Sequence, residues 1–226
     1  MKTLGIIGGL GPETTANFYM GVISAFAKKN KLHRPSILIT NVPVEFELEE
    51  KFINQSKGKR VYRKLLINAA KMLENGGADF IVIPCNSVHL FIDEVEKAVN
   101  IPVLSIVDET INHLKKNGIN SIGILATPFT FRNKLFNSKL KSNMIKFEIP
   151  TKEDQKKLGI IINKILQNKH GLSDKEKVIR VINKFSSESI LLACTDLHIL
   201  LSDVSKVKIL DTMQILKNAS VRELIK

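Results

Sequence analysis

At 226 residues, 44% of them hydrophobic, the chain is long enough for one large domain or two small lobes around a real core. No apolar run approaches the roughly 18 residues a membrane-spanning helix needs. No apolar leader with a small-residue cleavage site precedes the first strand, so the expected location is the cytoplasm and the two cysteines are expected as thiols. The formal charge is +12, yet only six of the 34 basic residues are arginine, aromatics make up 6%, and no nucleic-acid-binding motif is present. The charge therefore reads as a lysine-rich solvated surface, densest from Lys152 to Lys164, with no nucleic acid or membrane as partner.

Hydrophobic periodicity predicts strands alternating with helices. Leu4 to Ile7 read as a first strand, Gly8 to Pro12 as a turn, and Glu13 to Lys28 as a helix with Pro12 suited to its first position. Ser36 to Val42 read as a second strand. Val44 to Lys59 run acidic and then basic without a clean period, and are expected as a loop that could serve as a lid. A helix from Val61 to Asn75 stops at Gly76-Gly77. The strand through Ile81 follows, then a helix from about His89 to Val99 and a strand from Val103 to Val107.

The pattern then restarts. Asp108 to Asn117 are expected as a helix closed by Gly118, Ser121 to Ala126 as a strand, and Phe131 to Leu140 as a helix. Lys146 to Ile149 read as a strand, Glu153 to Gln167 and Asp174 to Phe185 as helices, Lys208 to Leu210 as a short strand, and Met213 to Ile225 as a closing helix. The expected fold class is α/β: two similar lobes, each a four-stranded parallel sheet flanked by helices, related by a pseudo-twofold axis with a cleft between them. Residues 1–112 would form the first lobe and 113–211 the second, with the helix at 212–226 crossing back to the first.

One phrase occurs twice. Ile81-Val82-Ile83-Pro84-Cys85-Asn86-Ser87-Val88-His89 matches Ile190-Leu191-Leu192-Ala193-Cys194-Thr195-Asp196-Leu197-His198. Each copy is an apolar run, a cysteine, two small polar residues, an apolar residue and a histidine. The run reads as a buried strand, and the polar pair as the cap of a following helix. Each cysteine is thus expected at the carboxyl end of a parallel strand, where ligands bind in open α/β sheets and where a helix N-terminus lowers a thiol's pKa. Two thiols facing each other across a cleft suit inversion of a stereocentre: one thiolate removes a proton from carbon while the other thiol returns a proton to the opposite face. Backbone N–H groups and the hydroxyls of Ser87, Thr127 and Thr195, with the amide of Asn86, are placed to stabilise the charge that gathers on a neighbouring carboxylate.

These two motifs and the opening Gly8-Gly9-Leu10-Gly11-Pro12-Glu13-Thr14-Thr15-Ala16 together resemble the cofactor-independent aspartate/glutamate racemase family, over the whole stretch from Lys2 to Asp211. The resemblance implies a racemase most like aspartate racemase, interconverting L- and D-aspartate (glutamate second) with no pyridoxal phosphate or metal, and usually a homodimer. It implies Cys85 and Cys194 as the paired acid and base, with Asn86, Ser87, Thr127, Thr195, Gly11 and Asp196 around the substrate. Two positions depart from the aspartate pattern. The loop after the second strand, Pro43 to Glu50, is acidic where a basic residue is usual, and Gln167 stands near where a lysine is usual, with Lys164 one turn earlier. Arg60 and Arg63 are candidate substitutes for the missing cation.

Other readings compete. The acidic loop would also suit a related carbanion enzyme, an isomerase or decarboxylase of a dicarboxylic or cyclic acid. The repeated Cys-x-x-x-His, with His89 and His198, offers four zinc-type ligands and a non-catalytic metal- or redox-sensing protein. The Gly8-Gly9-Leu10-Gly11 turn lacks the third glycine of a dinucleotide fingerprint, and Thr40-Asn41 stand where its acidic residue would end the second strand. Asp108 and Asp211 follow matched strands, either supporting the site or capping helices.

Overall fold

The structure is a computed structural model, and it describes residues 1–201 and 207–226. It contains two four-stranded, wholly parallel sheets with the same internal order. The first, β2-β1-β3-β4, is built from β1 (Thr3–Gly8), β2 (Ser36–Asn41), β3 (Phe80–Val82) and β4 (Val103–Leu104). The second, β6-β5-β7-β8, is built from β5 (Ser121–Ala126), β6 (Lys146–Glu148), β7 (Ser189–Ala193) and β8 (Lys208–Asp211). The first strand of each half is central in its sheet and pairs on both sides, β1 aligning Leu4 with Phe80 and β5 aligning Ala126 with Ala193. The cysteine-bearing segments leave the neighbouring strand of each sheet.

Period-two alternation gives each sheet two apolar faces, as a covered parallel sheet requires. Leu4, Ile6, Phe80 and Val82 join Ile122, Ile124, Leu191 and Ala193 in one continuous core, together with buried residues of α1 (Pro12–Ala27), α5 (Ile106–Lys116) and α11 (Thr212–Leu224). The opposite faces are covered separately. Ile7, Ile81 and Ile83 pack beneath α3 (Lys59–Asn75) and α4 (Ile92–Glu96), while Leu125, Ile190 and Leu192 pack beneath α8 (Lys152–Leu166) and α9 (Leu172–Ile182). The closing helix α11 lies against α1 and α5. A division at residue 112 cuts through α5, whose residues Ile111 and Leu114 belong to the core shared by both sheets.

Several elements differ from the sequence reading. Val44 to Lys59 are not a loop: they hold α2 (Phe46–Gln55), whose one-sided stripe of Leu48, Phe52 and Ile53 is closed by left-handed Ser56 and Gly58. β3 stops at Val82 because Pro84 has no N–H to give to the ladder, and the Cys85 N–H turns back onto the Ile83 carbonyl at 2.8 Å. The motif continues as a 3-10 turn, Ser87–Phe91, before the short α4. The second copy makes the corresponding 3-10 turn, Thr195–Leu197, and then α10 (His198–Leu201). β4 ends at Leu104 because Ser105 caps α5, its hydroxyl accepting the Asp108 N–H at 3.2 Å. The expected helix from Phe131 to Leu140 is two short helices, α6 (Pro128–Arg132) and α7 (Asn137–Ser142), separated by a left-handed Lys134.

Candidate active site

The two motif turns meet at the carboxyl edges of the two sheets. Cys85, Asn86 and Ser87 from the first copy line one cleft with Cys194, Thr195 and Asp196 from the second. Thr127, at the end of β5, lines it too, and Gly11 lies behind Asp196. At Gly11 φ is +89°, and a Cβ there would stand 3.0 Å from Asp196 Oδ1, so the position suits glycine on both counts. The structure thus brings together all the residues expected around the substrate. Cys194 is buried and Cys85 is partly exposed; neither is in a disulfide.

Three hydrogen-bond systems fix this geometry. The hydroxyls of Ser87 and Thr127 are 2.9 Å apart, and Thr130, a residue the sequence reading did not single out, adds a third hydroxyl 3.3 Å from Ser87 and 3.1 Å from Thr127. The Asn86 amide N–H donates to Thr212 Oγ1 at 2.9 Å, and that hydroxyl donates to the Leu192 carbonyl at 2.8 Å. Because Thr212 gives its only proton to Leu192, it must accept from Asn86, which settles which end of the amide is which. Asn86 Oδ1 is then a buried acceptor with no partner among the described residues. Finally, Thr14 and Cys194 both donate to Asp196, the thiol at 3.6 Å.

His89 is not free to ligate. Its Nδ1 donates to the Cys85 carbonyl at 2.8 Å and its Nε2 accepts the Ile106 N–H at 3.0 Å, which makes it a neutral strut between the first motif and α5. Burial lowers its pKa to about 4. His198 points to Asp211, 3.2 Å away, and Asp211 caps α11 through the Met213 N–H, so the two motif histidines do not converge. Among the described residues, no group of three or more His, Cys, Asp or Glu is arranged to hold a metal. Asp108 turns to Lys139 on the surface.

The electrostatics reverse one expectation. Each cysteine is followed by a 3-10 segment and not by a regular α-helical turn, which weakens the helix dipole at the thiol. Burial, then the Asp196 carboxylate, push both thiols up: Cys85 to about 12 against the pull of the Val88 and Ser87 N–H groups, and Cys194 well above its ordinary value. Asp196 is itself raised by burial.

Helix α2 covers the cleft. Phe52 stacks between Tyr62 of α3 and Phe129 of α6, with ring centroids 3.9 and 4.1 Å away, so it touches elements of both halves. Arg132 donates to the Ile53 and Asn54 carbonyls at the end of α2, and Lys59 donates to Asn133 Oδ1 at 2.8 Å. Glu49, one turn before Phe52, lines the cleft, and burial with the nearby Asp196 and Glu13 raises its pKa to about 7. Glu49, Phe52 and Ile53 of this segment line the cleft, from a helix where the sequence predicted a loop. The Leu48–Phe52 spacing was the available helical signal. The other positions expected to supply a cation do not. Arg60 and Arg63 are exposed on α3 outside the cleft lining, Lys164 donates to Asp174 at 2.9 Å, and Gln167 is exposed while its neighbour Leu166 lines the cleft. A larger groove of about 400 Å³ between α8 and α9 is edged by lysines paired to Asp154 and Asp174, and holds no nucleophile.

The fold and the cleft define an α/β protein of two like sheets with a thiol from each half at a shared cleft. Residues 7–219 match the Asp/Glu/Hydantoin racemase family model, and the chain belongs to that family. It is 27% identical over 226 residues to the broad specificity amino-acid racemase RacX of Bacillus subtilis, covering 96% of both chains. It superposes on an aspartate racemase homologue from Pyrococcus horikoshii with a TM-score of 0.80 at 30% identity, covering 100% of both. It shares the fold of an aspartate racemase from Picrophilus torridus at a TM-score of 0.83 and 24% identity, over 100% of this chain and 95% of that one. No helix among the described residues is long and apolar enough to cross a membrane.

Proposed function

We propose that this protein racemises an amino acid without pyridoxal phosphate, using Cys85 and Cys194 as a two-base pair. The observation that carries the reading is the placement of both motif cysteines at one cleft, each on the turn that leaves a matched strand. One thiolate takes the Cα proton; the electron pair moves into the α-carboxylate; the opposite S–H protonates the other face, and the two sulfurs exchange roles for the mirror-image substrate. The Ser87–Thr127–Thr130 hydroxyls and the neighbouring backbone N–H groups hold the carboxylate, where charge develops. The unpartnered Asn86 Oδ1 accepts from the α-ammonium. Thiols raised by burial and by Asp196 rest protonated, so the substrate's ammonium supplies the positive charge that makes a thiolate accessible. A thiolate of high proton affinity is also what a weakly acidic C–H requires. The cleft has about 30 Å³ of space for water, which is room for one or two waters, so substrate enters when α2 swings away.

The motifs resemble those of aspartate racemases, so aspartate is among the amino acids to assay, and the measurement is solvent exchange. In deuterium oxide, either isomer of the true substrate acquires deuterium at Cα and converts to the other. Cys85→Ala and Cys194→Ala each abolish racemisation, while a single variant retains exchange from one isomer only. Near wild-type racemisation by either variant refutes the two-base assignment.

A further inference from the structure

The lining of the cleft contains two carboxylates, Glu49 and Asp196, and no lysine, arginine or histidine among the described residues. Both carboxylates have surroundings that oppose a second anion. Burial raises both, and the charge of Glu13 adds to it. Glu13 stands in an adjoining groove of about 370 Å³ that shares Asp196 and Leu166 with the cleft, so the acidic character extends outward, with His170 the groove's one basic side chain among the described residues. Asp196 is already engaged by Thr14 and Cys194. Glu49 has no hydrogen bond or ion pair with the described residues, although it is half-buried beside Tyr62 and Phe52. A carboxylate held out of water without a partner is a poor stabilising element and a ready acceptor. It sits on α2, which lines the cleft, so its counter-ion would arrive with the substrate.

We infer that Glu49 selects the substrate's side chain, and that the cleft takes amino acids whose side chain ends in a cation in preference to aspartate or glutamate. This rests on the racemase reading and refines its substrate. The α-carboxylate and α-ammonium are met by the hydroxyl cluster and Asn86, leaving the far end of the substrate to the α2 side of the cleft. There a distal carboxylate would face Glu49 without any cation, whereas an alkylammonium would complete an ion pair in a narrow, largely buried cleft. Tyr62, stacked on Phe52, presents an aromatic wall alongside that suits the methylene chain.

The test measures kcat/KM for α-proton exchange in deuterium oxide with L-ornithine, L-lysine, L-aspartate, L-glutamate, L-alanine and L-homoserine. The wild-type protein should prefer the better diamino acid over aspartate and glutamate by about a hundredfold. Glu49→Gln, nearly isosteric, should cut that ratio by about tenfold or more, Glu49→Asp should retain the direction of the preference, and Glu49→Arg should raise exchange of aspartate. Circular dichroism confirms that each variant folds. Preference for an acidic or a neutral amino acid in the wild type, or a ratio that Glu49→Gln leaves unchanged, overturns the assignment of Glu49 while leaving the racemase reading intact. Absence of exchange from every amino acid tested overturns both.

Discussion

His89 gives the sharpest quantitative prediction, because the fold forces it to stay neutral. Its Nε2 accepts the Ile106 N–H, so protonation there breaks a buried bond, and burial holds its pKa at about 4 against an ordinary 6.5. The unfolded chain therefore binds a proton that the folded chain refuses between those values, and stability falls as pH drops through that window. The difference of about 2.5 pH units corresponds to about 3.4 kcal/mol in full. By the same linkage the loss reaches about 2 kcal/mol at pH 5 and about 3 kcal/mol at pH 4, and flattens below. Glu49 and Asp196 work in the opposite sense. Their raised values mean that the folded chain takes up protons first, which adds stability as pH falls. The clean measurement is therefore a difference: urea unfolding of wild type and His89→Gln at pH 7, 5 and 4. The variant loses the strut and is less stable at pH 7, but the gap between the two proteins should narrow by about 3 kcal/mol on going to pH 4. A gap independent of pH would show that His89 is not held neutral, and would remove the basis for reading it as a strut instead of a titrating partner of the thiols.

Phe52→Ala should destabilise the protein by about 3–5 kcal/mol in urea titration, since a fully buried ring stacked on Tyr62 and Phe129 is removed. Loss of less than about 1 kcal/mol would mean that α2 is not packed as described. Arg132→Ala removes the donor that holds the end of α2, so amide hydrogen exchange should quicken across residues 46–55 while β1 and β5 keep their protection; unchanged exchange in α2 would contradict a clamp at this position. Thr212→Val removes the acceptor of the Asn86 amide N–H and one donor to the Leu192 carbonyl. It should lower kcat about tenfold or more, through a cost of about 1–3 kcal/mol, and leave the circular dichroism spectrum intact; full activity would detach Asn86 orientation from catalysis. Gly11→Ala places a Cβ 3.0 Å from Asp196 Oδ1 at a φ of +89°, and should reduce both activity and thermal midpoint, with wild-type values for both counting against the assigned contact.

The alternation of apolar strands with capped helices was legible in the sequence because each element's burial pattern is local. β1, β5 and β7 are near-continuous apolar runs buried on both faces, and Pro12, Gly76 and Gly118 mark helix ends by their own backbone preferences. The position of each cysteine at a strand's carboxyl edge was legible for the same reason, since a strand followed by a polar turn leaves little choice of where the next side chain emerges. What the tertiary structure alone decided are the properties set by residues distant in the chain. α2 forms from a segment of mixed charge because Phe52 finds a ring on either side, one from each half. The thiols are raised rather than lowered because burial, and then the Asp196 carboxylate, outweigh the N–H groups of the turns that follow them. No local signal reveals that Lys164 spends its charge on Asp174, that Arg60 and Arg63 face solvent, or that the acidic segment delivers one unpaired carboxylate to the cleft. Charge and burial are sums over everything nearby in space, and only the assembled fold determines what is nearby.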